Sequence, residues 1–388
     1  MITRLSRLYT EFMESEQASG ILLIACTVIS IAIANSFFGQ RYLDFWHIKV
    51  GFEAGGMDLK YSVEHWINDG FMAVFFLLIG LEIERELYIG ELSDLKNASL
   101  PIFAAVGGMI MPAMFHFMLN QGTETQAGAG IPMATDIAFA LGVLALLGKG
   151  VPASLKIFLT ALAIIDDLGA IVIIAIFYVG HFSFIYLALS LGIFLLLIVF
   201  NRMGVRRLPF YLIPGVVMWY FMLKSGVHAT IAGVLLAFAI PFAGGDDDSP
   251  SYHLQHALHK PVAFFIMPLF ALANTGIVLS GDWVNGLTTM NSLGIFVGLF
   301  AGKPIGIVLF CLVSIKLGIS RLPEDVTLKH IIGAGFLGGI GFTMSIFITL
   351  LAFQNLDVIQ NSKISILISS FFAGTVGFLI LKTAKTNN

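Results

Sequence analysis

Five ionisable residues stand inside long apolar runs of this chain: Asp69, Asp136, Asp166, Asp167 and Lys303. A charge at the centre of a membrane helix costs about 2.5–3.5 kcal/mol on insertion scales, so five together approach about 15 kcal/mol. A whole domain is stable by only about 5–15 kcal/mol. Such residues persist where they pair, take up protons or line a watery cavity. A buried ion pair that merely pins helices is the alternative, and it has most force for Asp69, near the end of its run. Asp166 and Asp167 are adjacent, in Ile164-Ile165-Asp166-Asp167-Leu168-Gly169. Helix neighbours point about 100° apart, so both can border one cavity without facing identically. Two carboxylates in a dry site repel one another and titrate as a pair. The pair can hold protons or a small hard cation, which prefers oxygen ligands. Competition between H⁺ and a cation for one site is the chemistry of an exchanger.

Two apolar runs carry backbone breakers. One contains Gly128-Ala129-Gly130-Ile131-Pro132-Met133-Ala134-Thr135-Asp136, the other Gly333-Ala334-Gly335-Phe336-Leu337-Gly338-Gly339-Ile340-Gly341-Phe342-Thr343. Proline removes a donor and clustered glycine permits unwound chain. In lipid, unwound backbone is tolerated only where protein or water satisfies it. Glycine at close helix contacts is an ordinary alternative for the second run alone. Interrupted helices leave positive N-termini and negative C-termini at mid-membrane. Asp136 suits the first and Lys303 the second.

The elements that must hold these residues are membrane helices. Of 388 residues, 57% are hydrophobic and 12% charged, with a mean hydropathy of +0.91. Soluble domains carry about 25% charged residues, so a water-soluble enzyme is excluded. Net charge is −3 with no basic stripe, which argues against nucleic acid as a partner. Cys26 and Cys311 lie in apolar runs and read as small core hydrophobes. Spanning runs fall near 19–36, 66–83, 98–119, 130–148, 154–179, 183–200, 209–223, 226–243, 261–280, 292–315, 330–353 and 363–381, predicting an all-α polytopic protein of about twelve transmembrane helices in a single domain, 1–388. Ala32-Ile33-Ala34 fits a signal-peptide cleavage pattern, but Glu11, Glu14 and Glu16 make the leading region net negative, so the first run is taken as a true span.

With both termini inside, fifteen of the 21 Lys and Arg residues fall on inside segments and five outside, which predicts cytoplasmic termini. The first outside loop alternates apolar and polar residues around Ala54-Gly55-Gly56, which predicts an extracytoplasmic β-hairpin over 44–62. An isolated hairpin is marginal in water, so the same hairpin of a second subunit is its simplest partner; a loose loop is the alternative.

Pro132-Met133-Ala134-Thr135-Asp136-Ile137-Ala138-Phe139-Ala140, Ala163-Ile164-Ile165-Asp166-Asp167-Leu168-Gly169-Ala170, Lys224-Ser225-Gly226-Val227-His228-Ala229-Thr230 and Gly338-Gly339-Ile340-Gly341-Phe342-Thr343-Met344-Ser345 resemble the NhaA-type Na⁺/H⁺ antiporters of bacteria. A matched pair of broken spans is a general pointer to a transporter's binding site, and these antiporters are among the proteins from which that pattern is known. The likeness runs from about residue 18 to 381. It implies twelve helices, with spans 3–5 (98–179) and 10–12 (292–381) as inverted repeats, discontinuous spans 4 and 11 crossing at mid-membrane, and homodimers formed through the hairpin. It implies exchange of Na⁺ or Li⁺ for H⁺ across the inner membrane, with no cofactor and lipid as the surrounding partner. Asp166 and Asp167 match the cation and proton carboxylates, Thr135, Asp136 and Lys303 the crossing region, and Asp69 an accessory aspartate.

The resemblance also implies a pH sensor at a cytoplasmic mouth, matched by Glu82, Glu86, His256 and His259. Histidine changes charge between pH 5 and 8. A protonated cluster of His253, His256 and His259, beside Asp246-Asp247-Asp248, would close the mouth and its deprotonation would admit Na⁺. Two departures bear on the set-point: Gln255 replaces a glutamate and Glu84 a basic residue of the pattern. Glu82 and Glu86, at i,i+4, read equally as a solvated helix end, and His228 as a packing or hydrogen-bonding histidine. Among other functions, Na⁺-coupled uptake of an organic anion would need a roomy substrate cavity. An intramembrane aspartyl protease would need Tyr-Asp and Gly-x-Gly-Asp signatures, which are absent, and a passive channel would not need the aspartate pair.

Overall fold

The computed structural model describes residues 16–54, 57–178, 180, 182–245, 249–279, 281 and 283–384. Helix dominates. In chain order the main helices are α1 (Glu16–Ala34), α2 (Gly39–Trp46), α3 (Val63–Tyr88), α4 (Leu95–Asn120), α5 (Ile137–Leu146), α6 (Ala153–Phe177), α7 (Phe184–Arg202), α8 (Pro209–Ser225), α9 (Thr230–Ala239), α10 (Pro250–Asn274), α11 (Met290–Lys316), α12 (Leu328–Gly338), α13 (Phe342–Ala352) and α14 (Leu356–Thr383). A 3₁₀ stretch, Glu124–Met133, precedes α5.

Among the described residues, seven helices are long and apolar enough to cross a membrane, or up to ten if each sharply bent pair is one span. The expected number was twelve. Apolar length and hydrogen-bonded length differ where a breaker intrudes. Gly226, at φ +84°, ends α8 after 17 residues, and the chain turns extended at Ile240 ahead of Pro241, which holds α9 to 10. Helix α7 is strongly apolar yet mostly exposed, the surface expected of a helix that faces lipid.

The outer loop forms two short antiparallel ladders. β1 (Lys49–Val50) pairs with β4 (Tyr61–Ser62), and β2 (Glu53–Ala54) with β3 (Met57–Asp58). The expected Gly55-Gly56 turn lies outside the described residues, and residues 44–46 belong to α2 rather than to the hairpin. Trp66 Nε1 donates to Val50 O at 2.9 Å and Lys224 Nζ to Tyr61 Oη at 2.9 Å, so side chains of α3 and α8 hold the hairpin base.

The chain forms two compact units. One comprises Ala25–Gly90 and Ile171–Val278, and its core gathers Leu77, Leu81, Tyr211, Met218, Leu236 and Leu254. Here α9 lies close on α3: a Cβ on Gly233 would stand 2.1 Å from Ala73 O.

The other unit comprises Met1–Ile24, Glu91–Ala170 and Leu279–Asn388. The order of long helix, broken pair, long helix occurs twice in it. The first set is α4, the Glu124–Met133/α5 pair and α6; the second is α11, the α12/α13 pair and α14. Helices α4 and α11 pack backbone to backbone, since a Cβ on Gly306 would lie 2.0 Å from Gly107 O. Only glycine permits that approach.

Candidate functional site

The broken pairs bend by 42° (Glu124–Met133 with α5) and 44° (α12 with α13), and the two breaks touch. Asp136 N donates to Ile340 O at 2.6 Å, and Ser345 Oγ to Ile131 O at 2.7 Å. Each break therefore supplies partners for backbone groups that the other leaves orphaned. This is what allows non-helical chain in an apolar surround.

Asp136 sits where two half-helices begin. Its Oδ1 accepts from Phe139 N at 3.1 Å, capping α5, and its Oδ2 accepts from Thr343 N at 3.1 Å and Thr343 Oγ1 at 2.5 Å, capping α13. Each helix N-terminus carries about +0.5 charge, so two of them balance one carboxylate. Asp136 is 2% exposed, and this geometry makes its burial tolerable.

Lys303 serves the opposite ends. It follows a π-turn, Gly298–Gly302, and precedes Pro304, whose missing N–H suits a widened turn. Its Nζ donates to Met133 O, the last carbonyl of the 3₁₀ stretch, and lies 2.6 Å from Asp166 Oδ2; both side chains are fully buried. The C-terminal carbonyl of α12, Gly338 O, takes the Thr135 hydroxyl at 2.8 Å.

Thr135 Oγ1 is also 2.6 Å from Asp166 Oδ2. A hydroxyl carries one hydrogen, so it can donate to Asp166 or to Gly338 O, not to both. The neighbouring Asp166 Oδ1 is buried without a hydrogen-bond partner. Asp167 is 2% exposed, the next residue along α6. Among Asp136, Asp166, Asp167, Lys303 and Thr135, three formal negative charges stand against one positive. The two helix N-termini add about one positive charge and the two opposing C-termini about one negative, so with every carboxylate ionised the site is short of positive charge. A proton or a monovalent cation supplies that.

The structure thus brings together Thr135, Asp136, Asp166 and Lys303, with Asp167 beside them as the buried residue after Asp166 on α6. Thr343, Ser345 and the carbonyls of Gly338 and Ile340 belong to the same constellation and were not singled out from the sequence. The available signal was hydroxyl residues inside apolar runs next to a break.

The remaining expected residues lie in the other unit and are not drawn together in the same way. Asp69 sits on a π-turn, Trp66–Phe71, with His65 Nδ1 3.4 Å from its Oδ2 and Trp219 Nε1 donating to its carbonyl. His228 Nε2 is hydrogen-bonded to Tyr178 O, the structural role anticipated for it. His256 and His259 are exposed on α10, and His256 makes its contacts with Tyr252, one turn back on its own helix. Gln255 is half-buried, and Asp246-Asp247-Asp248 lie outside the described residues. On α3, Glu82 and Glu86 are half-buried, whereas Glu84 is 5% exposed, with Oε2 lacking a hydrogen-bond partner. Glu84 has Gly80, against Ala237, one turn before it and Tyr88, stacked on Phe242, one turn after. The least solvent-exposed carboxyl of this helix end is therefore Glu84, not one of the two expected from the sequence.

Comparison with known proteins gives the family of the chain. Residues 10–381 match the family model described as Na+/H+ antiporter 1. The chain is 60% identical over 390 residues to the Na(+)/H(+) antiporter NhaA of Dechloromonas aromatica, covering 100% of this chain and 98% of the relative. It is 59% identical to the Na(+)/H(+) antiporter NhaA of Flavobacterium psychrophilum (99% and 98% covered) and 46% to Na(+)/H(+) antiporter NhaA 2 of Clostridium beijerinckii (100% and 96%). Paired carboxylates beside two touching helix breaks, in a chain matched almost end to end, place it: this chain belongs to the Na+/H+ antiporter 1 family.

Proposed function

We propose that this chain is a secondary transporter, not an enzyme, that exchanges Na⁺ or Li⁺ for H⁺ at Asp166 and Asp167. The observation that carries the reading is the Lys303–Asp166–Thr135 contact beside Asp167, where two broken helices meet. An incoming cation competes with Lys303 and with protons for the carboxylate oxygens, so one cargo leaves as the other binds. Asp136 holds the half-helix N-termini, and Lys303 and Thr135 hold the opposing carbonyls. Sequence likeness and charge bias support the remaining assignments: inverted repeats at 98–179 and 292–381, cytoplasmic termini in a bacterial inner membrane, and a homodimer through the 44–62 hairpin. The test is Na⁺-driven proton movement in sealed vesicles holding the purified chain. Vesicles that move no protons on addition of Na⁺ or Li⁺ would defeat the reading.

Exchange is electrogenic on this mechanism. Asp166, Asp167 and Lys303 offer positions for two protons, and one Na⁺ replaces them, so one net charge crosses per cycle. A potential of 100 mV then contributes about 2.3 kcal/mol per turnover. Exchange rates in vesicles should respond to an imposed potential in both directions; rates that ignore it require an equal count of charges.

Activity is also pH-regulated, through Glu82, Glu86, His256 and His259. Under a sensor, replacing either pair moves the activation midpoint even with Na⁺ saturating. If H⁺ merely outcompetes Na⁺ at the aspartates, the midpoint moves with Na⁺ concentration and ignores those substitutions. Activation curves at two Na⁺ concentrations separate the two accounts.

A further inference from the structure

The half-helix α13 begins at Phe342 inside its unit, so its leading N–H groups have neither an intrahelical partner nor bulk water. Thr343 N is taken by Asp136 Oδ2. Gly341 N and Phe342 N both donate to one atom, Ser370 Oγ, at 3.2 Å each. Ser370 is 8% exposed and lies within α14.

Hydroxyls in apolar helices ordinarily bond back to their own helix. Ser369 does so, to Ser365 O and Ile366 O, and Thr375 does so, to Phe371 O. Ser370 turns to another helix instead. The face of α14 that carries it is cut close to the break: one turn on, a Cβ at Gly374 would meet Ile340 Cδ1 at 3.3 Å, and at Gly377 Leu337 Cδ2 at 2.8 Å. The long helix is thus applied to the broken one, with Ser370 level with the gap.

We propose that Ser370 is a positioning residue of the exchange site, taking up the positive end of α13 so that Asp136 stays committed to Thr343 and Phe139. This inference rests on the exchange reading above. Without the serine oxygen, two N–H dipoles point unsatisfied into the crossing. They draw Asp136 away, and with it Thr135, the residue just before it and the one that touches Asp166 Oδ2. They also present positive partial charge to an arriving cation. Both effects weaken cation capture more than turnover of the loaded protein.

The test is Na⁺/H⁺ exchange by the full chain in vesicles, with KM for Na⁺ and maximal rate measured separately. Ser370→Ala should raise KM about tenfold, the low end for loss of an outer partner of a metal-binding group, with the maximal rate near that of the unmodified chain. Ser370→Thr keeps the hydroxyl and should restore KM. If Ser370→Ala does not fold, Ser370→Cys, similar in size but a weaker acceptor, should give an intermediate KM. An unchanged KM in the Ala variant, or in the Cys variant if that is the one obtained, overturns the proposal, as does an equal loss in Ser370→Thr and Ser370→Ala. Failure of the unmodified chain to move protons defeats the exchange reading instead, so the two failures are distinct.

Discussion

Asp166→Asn and Asp167→Asn, each made singly, are expected to reduce Na⁺-driven proton movement to the background of protein-free vesicles while the chain still inserts and folds. The amide is nearly the same size as the carboxylate, so packing on α6 is preserved, but it carries no charge and binds neither a proton nor Na⁺ comparably. At Asp166 the substitution also cancels the negative partner of Lys303, whose Nζ lies 2.6 Å from Oδ2. The Asp166 variant should therefore lose some thermal stability as well as transport, whereas Asp167→Asn should lose chiefly transport. Purified protein with an intact melting transition and no exchange is the expected pair of measurements. Exchange at the unmodified rate in both variants would remove the aspartates from the mechanism.

Lys303→Ala has the largest expected effect on stability. Lys303 and Asp166 are both fully buried, and removing one member of a buried pair typically costs about 3–5 kcal/mol, because the remaining charge is stranded. The carbonyl of Met133 loses its donor in the same step. Lys303→Arg keeps the charge but replaces a compact ammonium with a planar fork, so it should be milder without being silent. The double variant Lys303→Ala with Asp166→Asn removes the stranded charge and should recover part of the loss. In a double-mutant cycle the two costs should then fall well short of additivity. Strict additivity in thermal unfolding would mean that the contact contributes nothing to the folded state.

Much of this was legible along the chain, for local reasons. A buried charge announces itself by interrupting an apolar run, as Asp136, Asp166, Asp167 and Lys303 do. Pro132 and the Gly338-Gly339-Ile340-Gly341 cluster announce the breaks because proline and glycine act on their own backbone. The helix count was less legible. The run 226–243 is apolar over its whole length, while its helical hydrogen-bond ladder covers only Thr230–Ala239. Burial at the end of α3 was not legible either: Glu82, Glu84 and Glu86 look equivalent in composition, and tertiary packing leaves Glu84 the least exposed of the three.

By itself the sequence determined a polytopic helical protein with two interrupted spans and an adjacent pair of membrane-embedded carboxylates, because hydropathy, helix breaking and charge are properties of residues and their near neighbours. Only the tertiary structure decided that Lys303 meets Asp166, 137 residues away, that a single carboxylate, Asp136, caps two half-helices by reaching Thr343 across 207 residues, and that Ser370 closes the gap between them. Those pairings are chosen by which helices pack together and how close their glycines let them come, and no local propensity encodes that choice.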